Sequence, residues 1–339
     1  MFADLIEKLR RRQDLTEAEA AAAMAEIMEG RAAPAQIAGM LIGLSMKGER
    51  PEEVVGFART MRSRAIQLSQ TFDDVFDTCG TGGDRLQTFN VSSLAALVVA
   101  ASGVRVAKHG NRSVSSTCGS ADLFEALGVT IASPPATVEA CLRDTGIAFF
   151  FAPTFHPAMR YAVEARRDLG VRTVFNLLGP LTNPAGARSQ IVGVPRPEHT
   201  DLLARALGRL GSRRAWVVHG AEGLDEVSTT GYTKVAEWRQ DTVRTFYIHP
   251  SDFGVNVATL DALRVTSREE SIAVAREVLA GADGPARDFV VVNAAAGLYV
   301  SERVASLSEG VDLASAVLEE GRAAETLDAL ARATTQDPA

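Results

Sequence analysis

Asp77-Thr78-Cys79-Gly80-Thr81-Gly82-Gly83-Asp84 places three glycines within four positions. An apolar and acidic run, 72–77, precedes it, and a helix start near Asn90 follows. A strand, a glycine turn and a helix start together present bare backbone N–H groups to an anion. Asn90-Val91-Ser92-Ser93 adds an amide and two hydroxyls at that helix start, donors suited to phosphate. A second polar loop, Lys108-His109-Gly110-Asn111-Arg112-Ser113-Val114-Ser115-Ser116, follows the predicted strand 104–107. Its two cations and its amide and hydroxyl donors fit a further anion or a ring carboxylate. His219-Gly220-Ala221-Glu222-Gly223-Leu224-Asp225-Glu226 ends in adjacent carboxylates, typical ligands for a hard divalent cation. Phosphate-type loops and an acidic pair in one chain favour a site for magnesium with pyrophosphate.

Two further segments speak less clearly. His156-Pro157-Ala158-Met159-Arg160 opens a helix that carries Arg166 and Arg167 and stops at Gly170. A histidine at a helix start serves as a cap or a core residue as readily as a catalyst, and arginines on such a helix are commonly solvated. Asn176-Leu177-Leu178-Gly179-Pro180-Leu181-Thr182-Asn183-Pro184 reads as a proline-stiffened turn, a hinge or a pocket wall. No Gly-x-x-x-x-Gly-Lys-Ser/Thr loop, Gly-x-Ser-x-Gly elbow or Gly-x-Gly-x-x-Gly run occurs. Nucleotide hydrolysis, serine hydrolysis and hydride transfer therefore lack their usual sequence signals.

The elements that must hold these loops fall into two kinds. Residues 1–68 show only helical patterns: 1–11, an alanine-rich helix opened by the capping box Thr16-Glu17-Ala18-Glu19, a nearly all-apolar helix at 33–46, and one from Pro51 to about 65. From 72 onward, predicted strands at 72–77, 104–107, 147–151, 190–194, 214–218 and 289–292 alternate with helices. The helices are placed at 91–102, 119–127, 137–145, 156–169, 199–210, 267–280 and 310–331. This alternation predicts an α/β class large domain, with a mostly parallel central sheet flanked by helices, beside a small all-α domain. Residues 220–265 read as a β-rich insertion, and 334–339 as a frayed, disordered tail.

The 339 residues carry a net charge of −7, with 46% hydrophobic and 6% aromatic side chains and no basic tract, which disfavours nucleic-acid binding by charge or by stacking. The three cysteines, Cys79, Cys118 and Cys141, form neither a metal pattern nor a disulfide framework. They point to a reducing cytoplasm. No signal peptide and no membrane span are predicted.

Taken in one order, Gly80-Thr81-Gly82-Gly83-Asp84, Asn90-Val91-Ser92-Ser93, Lys108-His109-Gly110-Asn111-Arg112, Gly119-Ser120-Ala121-Asp122, His156-Pro157-Ala158-Met159, Arg172–Pro184 and Gly223-Leu224-Asp225-Glu226 closely resemble the anthranilate phosphoribosyltransferases. The resemblance covers essentially the whole chain. It implies a small α-helical domain at 1–68, joined by helices around 165–188, and a large domain formed by 69–164 and 189–333. It implies Mg2+-dependent transfer of a 5-phosphoribosyl group from phosphoribosyl pyrophosphate to the amine of anthranilate, a step of tryptophan biosynthesis. Gly80, Thr81, Gly83, Asp84, Asn90, Ser92, Ser93, Lys108 and Ser120 are then expected to hold phosphoribosyl pyrophosphate. Gly80, His109, Asn111, His156, Arg166 and Pro180 are expected to line the anthranilate site, with Arg166 on its carboxylate. Ser92, Asp225 and Glu226 are expected to hold one or two Mg2+ ions per subunit, and Lys108 and His109 are the catalytic candidates. A homodimer through the helical domain is implied, without nucleic acid or membrane. The alternatives are a pyrimidine nucleoside phosphorylase-like enzyme, which would use free phosphate and no Mg2+, and a non-catalytic relative that binds nucleic acid.

Overall fold

A computed structural model of the chain describes residues 1–113 and 117–335. Residues 114–116 of the second polar loop and 336–339 of the expected tail lie outside the described residues. Four helices come first, Phe2–Arg10, Glu17–Met28, Pro34–Lys47 and Pro51–Arg64. The Thr16 box forms as its sequence predicts: Thr16 Oγ1 accepts from the Glu19 N–H at 3.2 Å, and the Thr16 N–H donates to Glu19 Oε2 at 2.8 Å. Small residues let the second and fourth helices close on each other. A methyl on Gly56 would lie 2.4 Å from the Glu17 carbonyl.

Seven strands follow: β1 (Val75–Gly80), β2 (Arg105–Gly110), β3 (Ile147–Phe151), β4 (Ser189–Gly193), β5 (Arg214–Gly220), β6 (Thr233–Arg239) and β7 (Thr242–Ile248). They form one sheet in the order β3-β2-β1-β4-β5-β6-β7, parallel from β3 to β5 and antiparallel across β6 and β7. The chain winds outward from β1 in one direction and returns through β4 and β5 in the other. The crevice beyond the carboxyl ends of β1 and β4 is therefore the switch point where ligands of such sheets bind.

The region 220–265 holds the expected short strands, but they extend the central sheet. Gln240 and Asp241, with φ of 51° and 58°, make the tight turn between β6 and β7. Thr229 and Thr230 lie in the turns before them.

The structure corrects three predicted elements. The run at 289–292 is part of the helix Pro285–Val300, not a strand. Phe289, Val290, Val291 and Val292 are buried, so a continuous apolar run carries no periodicity to separate helix from strand. The predicted helix 156–169 is broken into Ala152–Phe155, a 3₁₀ turn Pro157–Met159 and Arg160–Leu169. Pro157 pushes His156 out of the helical region, to φ −121° and ψ 57°. The predicted helix 310–331 is two helices, Leu307–Glu319 and Arg322–Thr335, parted at Gly321 with φ 74°. The last of these carries Thr334 and Thr335, two residues of the expected tail.

Two apolar cores sandwich the sheet. One packs the helix Val91–Ala101 against β1 and β2 and the helix Pro285–Val300 against β4 and β5. The other runs from Met24, Ile37 and Phe57 of the helical unit through Ala162, Phe175 and Leu178 to Val192 and Val217 of the sheet. Arg62 fastens this junction by donating to the carbonyls of Leu181, at 2.6 Å, and Leu210, at 2.9 Å. Among the described residues no helix is long and apolar enough to cross a membrane.

Candidate active site

The glycine run closes β1 and turns over the crevice. Gly82 and Gly83 take φ of 68° and 86°, which L side chains rarely adopt. The Thr81 N–H donates to the Gly193 carbonyl at 2.8 Å, and the Gly82 N–H donates to Asp225 Oδ2 at 2.7 Å. Gly80 and Gly193 face each other across β1 and β4, and Asp225 crosses both. A methyl on Gly193 would lie 1.5 Å from the Asp225 carbonyl oxygen, a backbone atom that has no rotamer to change. Gly193→Ala is therefore expected to displace segment 224–226, costing about 1–3 kcal/mol by overpacking. Urea unfolding measures this cost, and an unchanged midpoint would count against the close approach.

Beneath the loop lies a buried polar network. Asp77, fully buried in β1, accepts from the His109 N–H at 3.2 Å and from Asn183 Nδ2 at 2.8 Å. Asn183 Nδ2 also reaches the Ala107 carbonyl at 2.8 Å. One carboxylate thus ties β1, the end of β2 and the 176–184 turn together. Burial pushes its pKa up, and Lys108, Asn183 and the His109 N–H pull against that.

Two cavities open side by side above this network. The first, about 310 Å³, is polar and is lined by Gly80, Thr81, Gly83, Asp84, Asn90, Ser92, Lys108 and Ser120, and by Asp225 and Glu226. Ser93 does not line it; this side chain is fully buried, with Oγ unpartnered among the described residues. Lys108 is 2% exposed and has no carboxylate within 4 Å among the described residues, yet Asp77 and Glu226 both feel its charge. Arg112 also lines the cavity, but its guanidinium is spent on Asp122 and Glu125.

Three carboxylates crowd one end of this cavity. Burial and the nearby Asp84 push Asp225 up to about 7, and burial raises Asp84. Burial and the Asp225 charge push Glu226 well up, against the pull of Lys108 and the Ser92 hydroxyl. Carboxylates that repel one another in this way are the environment a dication relieves. The donors are all hard oxygens, which suits magnesium. Among the described residues no three of them stand in a ready ligand cluster. The fit is thus one of donor chemistry and charge, with coordination left to the bound substrate and water, as is usual for magnesium.

The second cavity, about 420 Å³, shares Cys79, Gly80, His109, Gly110 and Asn111 with the first. His156, Arg166 and Pro180 line it too, so all six residues predicted for the aromatic substrate meet here. Met61 and Phe175 add apolar walls that sequence reasoning did not assign. The Arg166 guanidinium lies 5.3 Å from the Phe175 ring centroid and makes no ion pair within 4 Å among the described residues. Burial lowers its pKa. The rings of His109 and His156 stand 5.3 Å apart. Burial holds both neutral, lowering them to about 3 and about 4. An apolar slot with two arginines free of ion pairs among the described residues, Arg166 on Phe175 and Arg160 at Tyr161, suits an aromatic carboxylate.

The sign of the acid response follows from those two histidines. Between pH 6.5 and about 4 an unfolded chain protonates imidazoles that the folded chain keeps neutral, so stability falls as pH falls. His156→Gln removes one such group. Between pH 6.5 and 5 it is expected to lose about 1.5 kcal/mol less than the parent, since the slope grows toward about 1.36 kcal/mol per pH unit as the unfolded imidazole protonates. Urea unfolding at both pH values checks this; parallel losses would mean that His156 titrates normally.

The helical unit and the sheet-bearing unit each match a family of known proteins. Residues 3–65 match the glycosyl transferase family, helical bundle domain, and residues 73–324 match the glycosyl transferase family, a/b domain. An anthranilate phosphoribosyltransferase of Moorella thermoacetica is 53% identical over 325 residues, covering 96% of each chain. The crystal structure of anthranilate phosphoribosyltransferase from Thermus thermophilus superposes with a TM-score of 0.93 at 45% identity, covering 98% of this chain and 100% of that one. The Saccharomyces cerevisiae anthranilate phosphoribosyltransferase in complex with PRPP and Mg has a TM-score of 0.90 at 27% identity, covering 98% of both. The chain belongs to the anthranilate phosphoribosyltransferase family.

Proposed function

We propose that the protein transfers the 5-phosphoribosyl group of phosphoribosyl pyrophosphate to the amine of anthranilate, forming N-(5-phosphoribosyl)anthranilate and releasing pyrophosphate. The observation that carries this reading is the pair of cavities, one polar and one apolar, sharing a wall at Gly80 and His109–Asn111. The polar cavity holds the donor. Loop N–H groups, Asn90, Ser92 and Lys108 take its phosphates. Ser120 lies on the same wall. Ser93, buried behind, supports the helix start. Asp225, Glu226 and Ser92, with Asp84 beside them, would hold Mg2+, which would supply charge neutralisation for the leaving pyrophosphate.

The apolar cavity holds anthranilate, its carboxylate on Arg166 and its ring between Phe175, Pro180 and His156. Its aniline nitrogen attacks ribose C1 as the C1–oxygen bond to pyrophosphate breaks, with inversion at an oxocarbenium-like centre. Orientation of two bound substrates supplies much of the rate. Lys108 and the loop N–H groups stabilise the departing charge. The proton that the nitrogen sheds goes to the departing pyrophosphate, a stronger base than the buried, neutral imidazole of His109, which lines both cavities. A homodimer through the helical unit and a cytoplasmic site belong to the same reading. Met46, 72% exposed on Pro34–Lys47, supports a buried contact there, and light scattering at twice the chain mass checks it.

Anthranilate fluorescence tests the reaction. Loss of the signal should require both phosphoribosyl pyrophosphate and Mg2+. A signal that stays constant with both present would defeat the reading.

A further inference from the structure

We propose that Arg172 is a further donor-site residue whose guanidinium clamps the pyrophosphate end of phosphoribosyl pyrophosphate. The assignment deepens the proposed function and rests on it for the identity of the donor. Arg172 lies in the short stretch between the helices Arg160–Leu169 and Val174–Leu178, which carry Arg166 and Phe175 of the apolar cavity. Its side chain leaves that cavity and lines the polar one.

There the glycine loop anchors it. Arg172 Nη2 donates to the Thr81 carbonyl at 3.0 Å. A methyl on Gly83 would lie 2.0 Å from Nη1, so the guanidinium lies flush on the bare backbone of the loop. Gly83 thus serves the arginine as well as its own φ of 86°.

The anchor leaves most of the guanidinium unused. It carries five N–H donors, and the Thr81 carbonyl is its one hydrogen-bond acceptor among the described residues. No carboxylate lies within 4 Å of it among the described residues, although the Asp84 and Asp225 charges reach it from farther off. A half-buried cation without an ion pair, beside N–H groups and a cation-binding carboxylate cluster, lacks an anion. A guanidinium fork matches phosphate oxygens in pairs.

The position of Arg172 selects which phosphate. It stands with Thr81, Gly83 and the carboxylate end of the cavity. Asn90 and the Ser92 hydroxyl at the helix start line the same cavity and provide for the other phosphate. Its backbone, by contrast, only connects the elements of the apolar cavity, so changing its side chain leaves Arg166 and Phe175 in place.

The test is calorimetric titration of the full chain with inorganic pyrophosphate and Mg2+, and separately with ribose 5-phosphate. Arg172→Gln should weaken pyrophosphate binding about tenfold or more, with ribose 5-phosphate affinity kept. Arg172→Lys should fall between it and the parent, since a point charge replaces the fork. In turnover, the KM for phosphoribosyl pyrophosphate should rise while that for anthranilate stays within about twofold. Unchanged pyrophosphate affinity, equal loss for both ligands, or an equal rise in both KM values would overturn the assignment. Should Arg172→Gln not fold, the Arg172→Lys titration decides alone. Arg172-dependent pyrophosphate binding by a chain that does not consume anthranilate would uphold the assignment and defeat the proposed reaction.

Discussion

The double variant Asp225→Asn with Glu226→Gln is expected to lose turnover by about 10³-fold or more while remaining folded. The two amides keep the shape of the acids and remove two charges from the crowded end of the polar cavity. Removing cation-held stabilisation of a leaving pyrophosphate forfeits several kcal/mol, and each 1.36 kcal/mol is tenfold in rate. Folding should not suffer. Burial and mutual repulsion raise Asp225 to about 7 and Glu226 well above the carboxylate range, so the acids are strained neighbours without a cation. The side-chain carbonyl that Asp225→Asn introduces can still accept the Gly82 N–H, which Asp225 Oδ2 now takes at 2.7 Å. The expected melting temperature in chelator is at or above that of the parent, and added Mg2+ should shift the parent only. Normal Mg2+-dependent turnover in the double variant would remove the metal assignment.

The second large effect is Arg166→Ala. A charge-assisted contact to a carboxylate contributes about 1.5–3 kcal/mol, so the KM for anthranilate should rise by about 10- to 150-fold. The KM for phosphoribosyl pyrophosphate should change little, because Arg166 lines the apolar cavity and not the polar one. Arg166 lies over the Phe175 ring, so some packing goes with the charge. Arg166→Met keeps much of that packing and should show the same KM pattern. Equal rises for both substrates would mean that Arg166 orders the whole site and does not meet the carboxylate.

Much of this site is legible in the chain because its parts are local. The glycine run, the Asn90–Ser93 helix start and the Asp225–Glu226 pair each form within a few residues, and each declares its chemistry by residue type. The Thr16 box is local in the same sense. What is not legible depends on contacts distant in sequence. Gly193 is an ordinary strand glycine until Asp225 crosses it, 32 residues later in the chain. Arg172 is one of several arginines after His156 until its guanidinium reaches Thr81, 91 residues away. Asp77 and Asn183, 106 residues apart, look like a strand acid and a turn residue until they meet beneath the loop. The helix Pro285–Val300 reads partly as a strand for a related reason. Full burial erases the amphipathic pattern that would distinguish the two. The apolar cavity is intermediate: its residues come from segments that are individually weak, and only the resemblance gathers them before the fold does.

Phosphorus NMR of a reaction mixture holding the protein, Mg2+, phosphoribosyl pyrophosphate and anthranilate tests the pairing of the two cavities most directly. The account predicts one pyrophosphate released for each anthranilate consumed, a new phosphomonoester signal from the product, and no pyrophosphate release when anthranilate is omitted. Pyrophosphate release without anthranilate loss would contradict it, as would phosphate-dependent cleavage of a pyrimidine nucleoside with no use of phosphoribosyl pyrophosphate.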